Sequence, residues 1–148
     1  MNIMVRKANN TDLPLLAHMN KELIEDEGSR NPMTVAQLEG RMSGWLHSNW
    51  KIEIIQQDET IIGYAIYQLR TDELSPDESY VYLRQFYLLR EYRGHGHGTL
   101  ALNQLIHSSF PPGAKIAIDV LATNPRGHNF WRKFGFAPYY TRMNLKQD

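Results

Sequence analysis

Cysteine is missing altogether from these 148 residues. Its absence excludes a disulfide framework, thiol redox chemistry, a cysteine nucleophile and any zinc site built on thiolates. A surplus of either charge is missing too: 16 Lys+Arg stand against 16 Asp+Glu, a formal net charge of +0. Proteins that grip nucleic acid or an anionic membrane surface usually carry a basic excess, so neither partner is expected. Long apolar runs are absent, so no segment is expected to span a bilayer. The opening stretch MNIMVRKANN lacks the apolar centre of a secretory leader, and a cytoplasmic location is expected. No repeat, low-complexity tract or long linker divides the chain. These absences leave one domain, residues 1–148, able to bury about two-thirds of the surface its unfolded form exposes.

What is present is a 42% hydrophobic fraction arranged in two alternating periods. Residues 3–8 read as a short strand. Asn10 or Thr11 can cap a helix running to about Glu27, with Leu16, Met19, Leu23 and Ile24 as its apolar stripe. Thr34-Val35-Ala36-Gln37 fits a capping box, and Leu38, Met42 and Trp45 repeat at helical spacing behind it. Residues 51–57 and 60–70 predict a hairpin across Gln57-Asp58-Glu59, and Gly63 marks a bulge or a close backbone approach. Residues 80–88 (YVYLRQFYL) predict a central strand, 96–109 a helix, 115–121 a strand, 125–134 a short helix and 139–145 a last strand. Strand, helix, strand across residues 80–121 implies a parallel pair, whereas the hairpin upstream implies antiparallel pairing. The expected class is α/β, a mixed α+β arrangement.

The sharpest feature is Arg90-Glu91-Tyr92-Arg93-Gly94-His95-Gly96-His97-Gly98, set between a strand and a helix. Alternate glycines remove side chains where a ligand must approach the backbone, and the next helix opens with unpaired amides at its positive end. Together they predict a phosphate or pyrophosphate site, to which Arg93 can add a charge-assisted contact. A dinucleotide fingerprint does not fit, because the glycines run G-x-G-x-G and a charged segment separates them from the strand. A Walker loop fails because no Gly-Lys-Ser/Thr follows.

Residues 86–98 resemble motif A of the GNAT superfamily of N-acetyltransferases, with Arg93, Gly96 and Gly98 filling its Gln/Arg-x-x-Gly-x-Gly/Ala core. Asn124, Phe130-Trp131 and Gly135-Phe136 resemble the family's second pattern, an Asn after the next strand followed by a short helix ending in an aromatic pair and Gly-Phe. The resemblance implies a twisted mixed sheet of six to seven strands flanked by about four helices. It also implies acetyl-CoA as cosubstrate. In family terms the cofactor-binding residues are Phe86, Leu88, Arg93, Gly94, His95, Gly96, His97, Gly98, Thr99, Asn124 and Trp131. The amides from Arg93 through Thr99 would hold the pyrophosphate. The backbone of residues 86–88 would pair with pantetheine where the strand splays from 115–121, Asn124 would contact the thioester end, and the Leu88 amide would polarise the carbonyl.

The implied reaction is direct acetyl transfer to a primary amine of a small molecule, without a covalent intermediate. The amine must first lose its proton, since an ammonium of pKa ~10 offers no lone pair. Where the family often has a tyrosine acid this chain has Trp131, whose indole cannot deliver a proton at neutral pH. His128, Tyr139 and Tyr140 are other candidate donors. The positions that often hold a base carry Tyr82 and Arg84. By strict alternation Tyr82, Arg84, Phe86 and Leu88 share one face, and Arg84 is expected to pair with Glu22 or Glu25, or else with a substrate carboxylate. The acidic corner Glu25-Asp26-Glu27 lies where the family builds its acceptor pocket, and Glu25 or Asp26 is the expected amine ligand. Tyr82, Arg84 and Glu25 are thus the catalytic candidates. Two rival readings remain: a non-catalytic acyl-CoA sensor, and an enzyme acting on a protein or peptide amine. Many relatives are dimers, so a homodimer is among the expectations.

Overall fold

The structure, a computed structural model, describes residues 2–148. Its elements run β1 (Ile3–Lys7), α1 (Leu13–Asp26), α2 (Val35–Leu46), β2 (Lys51–Gln57), β3 (Thr60–Thr71), β4 (Ser79–Leu88), α3 (His97–Ser108), β5 (Lys115–Ala117) and α4 (Pro125–Phe134). The strands form one sheet in the order β1-β2-β3-β4-β5, antiparallel except for the parallel β4/β5 pair.

Both faces of the sheet are covered. Leu16, Met19, Leu23 and Met42 from α1 and α2 pack on Ile52, Ile54, Tyr64, Ile66 and Tyr87. Leu102 and Leu105 from α3 pack on Ala65, Tyr67, Val81 and Leu83 on the other side. Two carboxylates are buried among the described residues, Asp12 and Glu53; Glu53, 6% exposed, accepts from the Tyr67 hydroxyl at 2.6 Å and the Ser109 hydroxyl at 2.8 Å, so both its oxygens have partners.

Capping chemistry fixes the helix starts. Thr34 and Gln37 form the expected box ahead of α2. Ahead of α1 the cap is Asn9, which opens a short 3-10 turn at Asn10–Asp12 in place of a cap at Asn10 or Thr11. Asp12 accepts both Arg6 terminal nitrogens at 2.9 Å and the Asn9 amide at 2.8 Å, locking β1 to that turn. The Arg6 bonds hold the Asp12 carboxyl below its ordinary value. A group with a depressed folded-state pKa stabilises fully above its unfolded pKa of about 4, and that contribution fades as pH falls through the folded value. Asp12→Asn is therefore expected to lower stability by about 2 kcal/mol at neutral pH and to flatten the loss below pH ~4, read by denaturant unfolding across pH.

Two irregularities shape the sheet. Gly63 packs so tightly that a β-carbon there would lie 2.0 Å from the Tyr87 carbonyl oxygen, and the adjoining β2/β3 register slips at Ile55/Gln56. In β4 the register steps from Gln85 opposite Ile66 to Leu83 opposite Tyr67, so Arg84 is an extra, bulged residue. The bulge overturns strict alternation: Val81 and Leu83 face α3, as does Phe86, while Tyr87 faces α1 and α2.

Among the described residues the sheet has five strands, not the six to seven expected. Residues 139–145 form no strand, and Tyr139, Tyr140, Met143 and Leu145 are 69–88% exposed. Alternating sequence alone does not make a strand without a ladder partner, and β5 is a ladder of only three residues, ending at Ala117 instead of residue 121.

Candidate functional site

β4 and β5 pair only from Tyr80/Lys115 to Tyr82/Ala117, after which β4 runs on alone to Leu88. The edge of β4 from Leu83 onward is therefore open toward α4. Orientation of the peptide groups along this edge follows from two contacts. Leu89 donates its amide to Ile62 at 2.8 Å, so the Leu88 carbonyl points the opposite way, toward the gap. The Tyr87 carbonyl crowds Gly63 on β3, so the Leu88 amide, trans to it, points into the gap as well.

The glycine loop stands at the end of this edge. Gly94 and Gly96 take φ of 80° and 86°, the left-handed region that glycine enters at little cost. Gly96 caps α3 without a side chain, and the first intrahelical bond is Leu100 to Gly96 at 3.2 Å. The amides of His97, Gly98 and Thr99 thus open the helix unpaired, at its positive end. Gly98 lets α4 approach: a β-carbon there would meet the Phe130 ring at 2.9 Å. A groove of about 330 Å³, lined by Thr99, Asn103, Phe130, Lys133 and Phe134, continues from that first turn between α3 and α4. Lys133 is a residue the motif reading passed over. The buried His97 packs against Tyr92, and its Nδ1 has no partner.

Arg93 does not point at the helix start. Its Nε donates to the Leu88 carbonyl at 2.8 Å, its terminal nitrogen pairs with Asp26 at 2.7 Å, and its amide bonds to Arg90. The guanidinium ties the loop to α1 and is thereby engaged away from the start of α3. Asn124 also has a structural task, capping α4 through the Gly127 amide at 3.0 Å. His128 faces the Leu121 carbonyl at 3.1 Å. Trp131 joins an aromatic cluster with Phe86, Phe130 and Phe136 that lines the open edge.

On the α1/α2 side of β4 the hydroxyls are committed. Tyr82 donates to Asp119 at 2.6 Å, and burial with that bond pushes its pKa up to about 12. Tyr87 donates to Glu22, and burial with that hydrogen bond raises its pKa. Tyr64, fully buried, donates to Gln85 at 2.7 Å.

The acidic corner divides into three fates. Glu25 is 60% exposed and meets Arg90 at 3.5 Å. Asp26 is held by Arg90 at 2.9 Å and by Arg93. Glu27 is half-buried and stands apart from these pairs: among the described residues its carboxylate makes no hydrogen bond or ion pair, and burial, then the charge of Asp26, holds its pKa above the usual range. Its position four residues beyond Leu23 continues the buried stripe of α1, a signal the sequence carries in its helical spacing. Arg84 makes no ion pair with Glu22 or Glu25, whose carboxylates are taken by Tyr87 and Arg90. Bulged and exposed, it stands over Trp45 at 5.0 Å and Trp50 at 5.6 Å.

The sequence model described as the Acetyltransferase (GNAT) family matches residues 15–136. No curated protein sequence is matched. Among solved structures, a possible acetyltransferase from Clostridium difficile 630 aligns with a TM-score of 0.79 at 14% identity, over 100% of this chain and 99% of its own. A predicted acetyltransferase from Clostridium acetobutylicum with acetyl-CoA aligns with a TM-score of 0.73 at 21% identity, over 97% and 96%. The aminoglycoside N-acetyltransferase AAC(6')-Iy in complex with CoA aligns with a TM-score of 0.75 at 17% identity, over 99% and 95%. At these identities the likeness is one of fold.

Proposed function

The chain belongs to the GNAT family of acetyltransferases, and from that membership we propose that it moves acetyl directly from acetyl-CoA to a primary amine of a small molecule. The observation that carries this reading is the open edge of β4 running straight into the unpaired amides of α3. The amides of His97, Gly98 and Thr99 hold the diphosphate, helped by the helix dipole. The groove at Lys133 takes the nucleotide end. The edge from Phe86 to Leu88 offers the pantetheine amides the pairing that β5 gives up after Ala117. The Leu88 amide donates to the acetyl oxygen as negative charge builds on it. Arg93 grips the Leu88 carbonyl and so fixes the next peptide group along, Leu88–Leu89.

Deprotonation of the amine falls to Glu27 in preference to Glu25, which the surface and Arg90 claim. A half-buried carboxylate with no other partner attracts an ammonium, and its raised pKa makes it a better proton acceptor than an exposed one. The amine attacks the thioester carbon and the CoA thiolate leaves, its thiol pKa of about 8.5 making a dedicated acid dispensable. Tyr82 and Arg84 border the acceptor on the opposite side from Phe86.

Trp131 in place of a tyrosine supports one other reading, a domain that binds acyl-CoA without catalysis. Thiol release measured with acetyl-CoA over polyamines, amino acids, aminoglycosides and a peptide separates the two. Turnover of any small amine is the expected result; tight binding with no release on every acceptor would sink the enzyme. At the cofactor end, Gly96→Ala has open space for its methyl group but must hold a φ of 86°. It is expected to cost about 1 kcal/mol in stability and to weaken acetyl-CoA binding roughly tenfold, read by calorimetric titration.

A further inference from the structure

The face of β4 beyond Glu27 carries a second pattern. Arg41 stands 4.5 Å from the Trp45 ring centre and Arg84 5.0 Å from the same ring. Trp50 continues the shelf beside Trp45, their centroids 6.1 Å apart. Neither arginine has an ion pair among the described residues, where Arg6, Arg90 and Arg93 supply the cations of all four pairs. Two guanidinium groups over one indole repel each other, and burial together with Arg84 depresses the pKa of Arg41. The ring faces offset part of that repulsion but bring no acceptor atom.

Donors outnumber acceptors here. Asn20, 0% exposed, accepts from Arg41 at 3.0 Å and leaves its own Nδ2 buried without a partner; Arg41 Nε is likewise buried and unpaired. The carboxylate beside this shelf, Asp119, is taken by the Tyr82 hydroxyl. Unpaired buried donors next to like charges are unfavourable in isolation, so the missing element is an acceptor with negative charge. Arg84 reaches this place because the bulge adds it to the α1/α2 side of the strand, and its exposure leaves it open to a ligand.

We propose that Arg41 and Arg84, over the Trp45 ring, bind an anionic group on the acceptor, so that the substrate is an amine bearing a carboxylate or a phosphate. Glu27 and Arg41 both act by charge on the buried Tyr64 hydroxyl, so the ammonium and anion contacts would lie on the same face of the sheet, the one covered by α1 and α2. The proposal rests on the acetyl-transfer reading for its amine end but not for its anion end.

The test pairs a rate with a binding signal. Thiol release from acetyl-CoA is measured on β-alanine against β-alaninamide, and on O-phosphoethanolamine against ethanolamine. The same four compounds are titrated against tryptophan fluorescence in the presence of CoA, since Trp45 and Trp50 form the shelf. At least one anionic member is expected to exceed its neutral partner about tenfold in kcat/KM and alone to change the fluorescence; which one does distinguishes carboxylate from phosphate. Arg84→Gln, at an exposed position, should abolish the preference through KM with kcat little altered, and Arg41→Gln should do the same. Fluorescence saturation by an anionic amine, lost in Arg84→Gln, with no acetyl release would uphold the anion site and remove the transfer reading. Equal or better turnover of the neutral amines, or a preference that survives both substitutions, would overturn the anion site and leave transfer standing. No fluorescence change with any of the four would overturn it as well.

Discussion

Gly63→Ala is expected to lower stability by at least about 3 kcal/mol and Tm by on the order of 10 °C. The added methyl would sit 2.0 Å from a main-chain oxygen, that of Tyr87, and 2.9 Å from Leu88 Cδ2. A flexible side chain could rotate away from such a contact, but a carbonyl in the middle of a ladder moves only if the strand moves. Separation of β3 from β4 at this point would also turn the Tyr87–Leu88 peptide group, and with it the amide proposed to face the acetyl oxygen. The variant should therefore lose acetyl-CoA affinity out of proportion to its unfolded fraction at working temperature. Thermal unfolding and calorimetric titration on the same sample check both parts. A Tm within about 2 °C of the parent would mean that the two strands are less closely matched than described.

Glu27→Gln is expected to lower kcat/KM by about 10²- to 10⁴-fold, the range a general base supplies, with acetyl-CoA binding unchanged. Burial and Asp26 raise the Glu27 pKa. The parent should lose activity on the acid side as pH falls through a value above the ordinary carboxylate pKa of about 4.3, because the protonated carboxyl no longer accepts a proton. That limb should vanish in Glu27→Gln, leaving only the rise that follows the amine's own ionisation. Glu25→Gln serves as the contrast: exposed and paired at the surface, it should change kcat/KM by less than about threefold. If the Glu27 variant kept both the rate and the acid limb, proton removal would belong elsewhere, to solvent or to a substrate group.

Elements with a strong local signal were legible in the sequence. The strand Lys51–Gln57 and the helix Pro125–Phe134 appear with the bounds that turn residues and Pro125 indicate, and Thr34 caps α2 as its box requires. Motif A lies between strand and helix as expected: Gly94 and Gly96 meet the backbone geometry of that turn, and Gly98 gives room to Phe130. What was not legible depends on pairing. Arg84 looks like one more residue in an alternating strand; only the β3 register reveals that it is supernumerary. The partners of Arg93 and Arg90 lie more than 60 positions away on α1, and nothing in the local sequence announces them. Residues 139–145 have the alternation of a strand but no ladder to join, which composition cannot reveal. Glu27 was within reach: its spacing of four from Leu23 sets it on the buried stripe of α1, whereas Glu25 falls off that stripe.

A single supernumerary residue has a consequence for how this scaffold can change. An unbroken strand shows every second side chain to one side, so a new preference on one side is bought at fixed spacing. Here Tyr82, Arg84, Gln85 and Tyr87 all belong to the α1/α2 side, while Phe86 and Leu88 keep their places opposite. Specificity can then drift by substitution in that crowded row without moving the residues on the opposite side, as if a keyboard had gained an extra key without shifting the others.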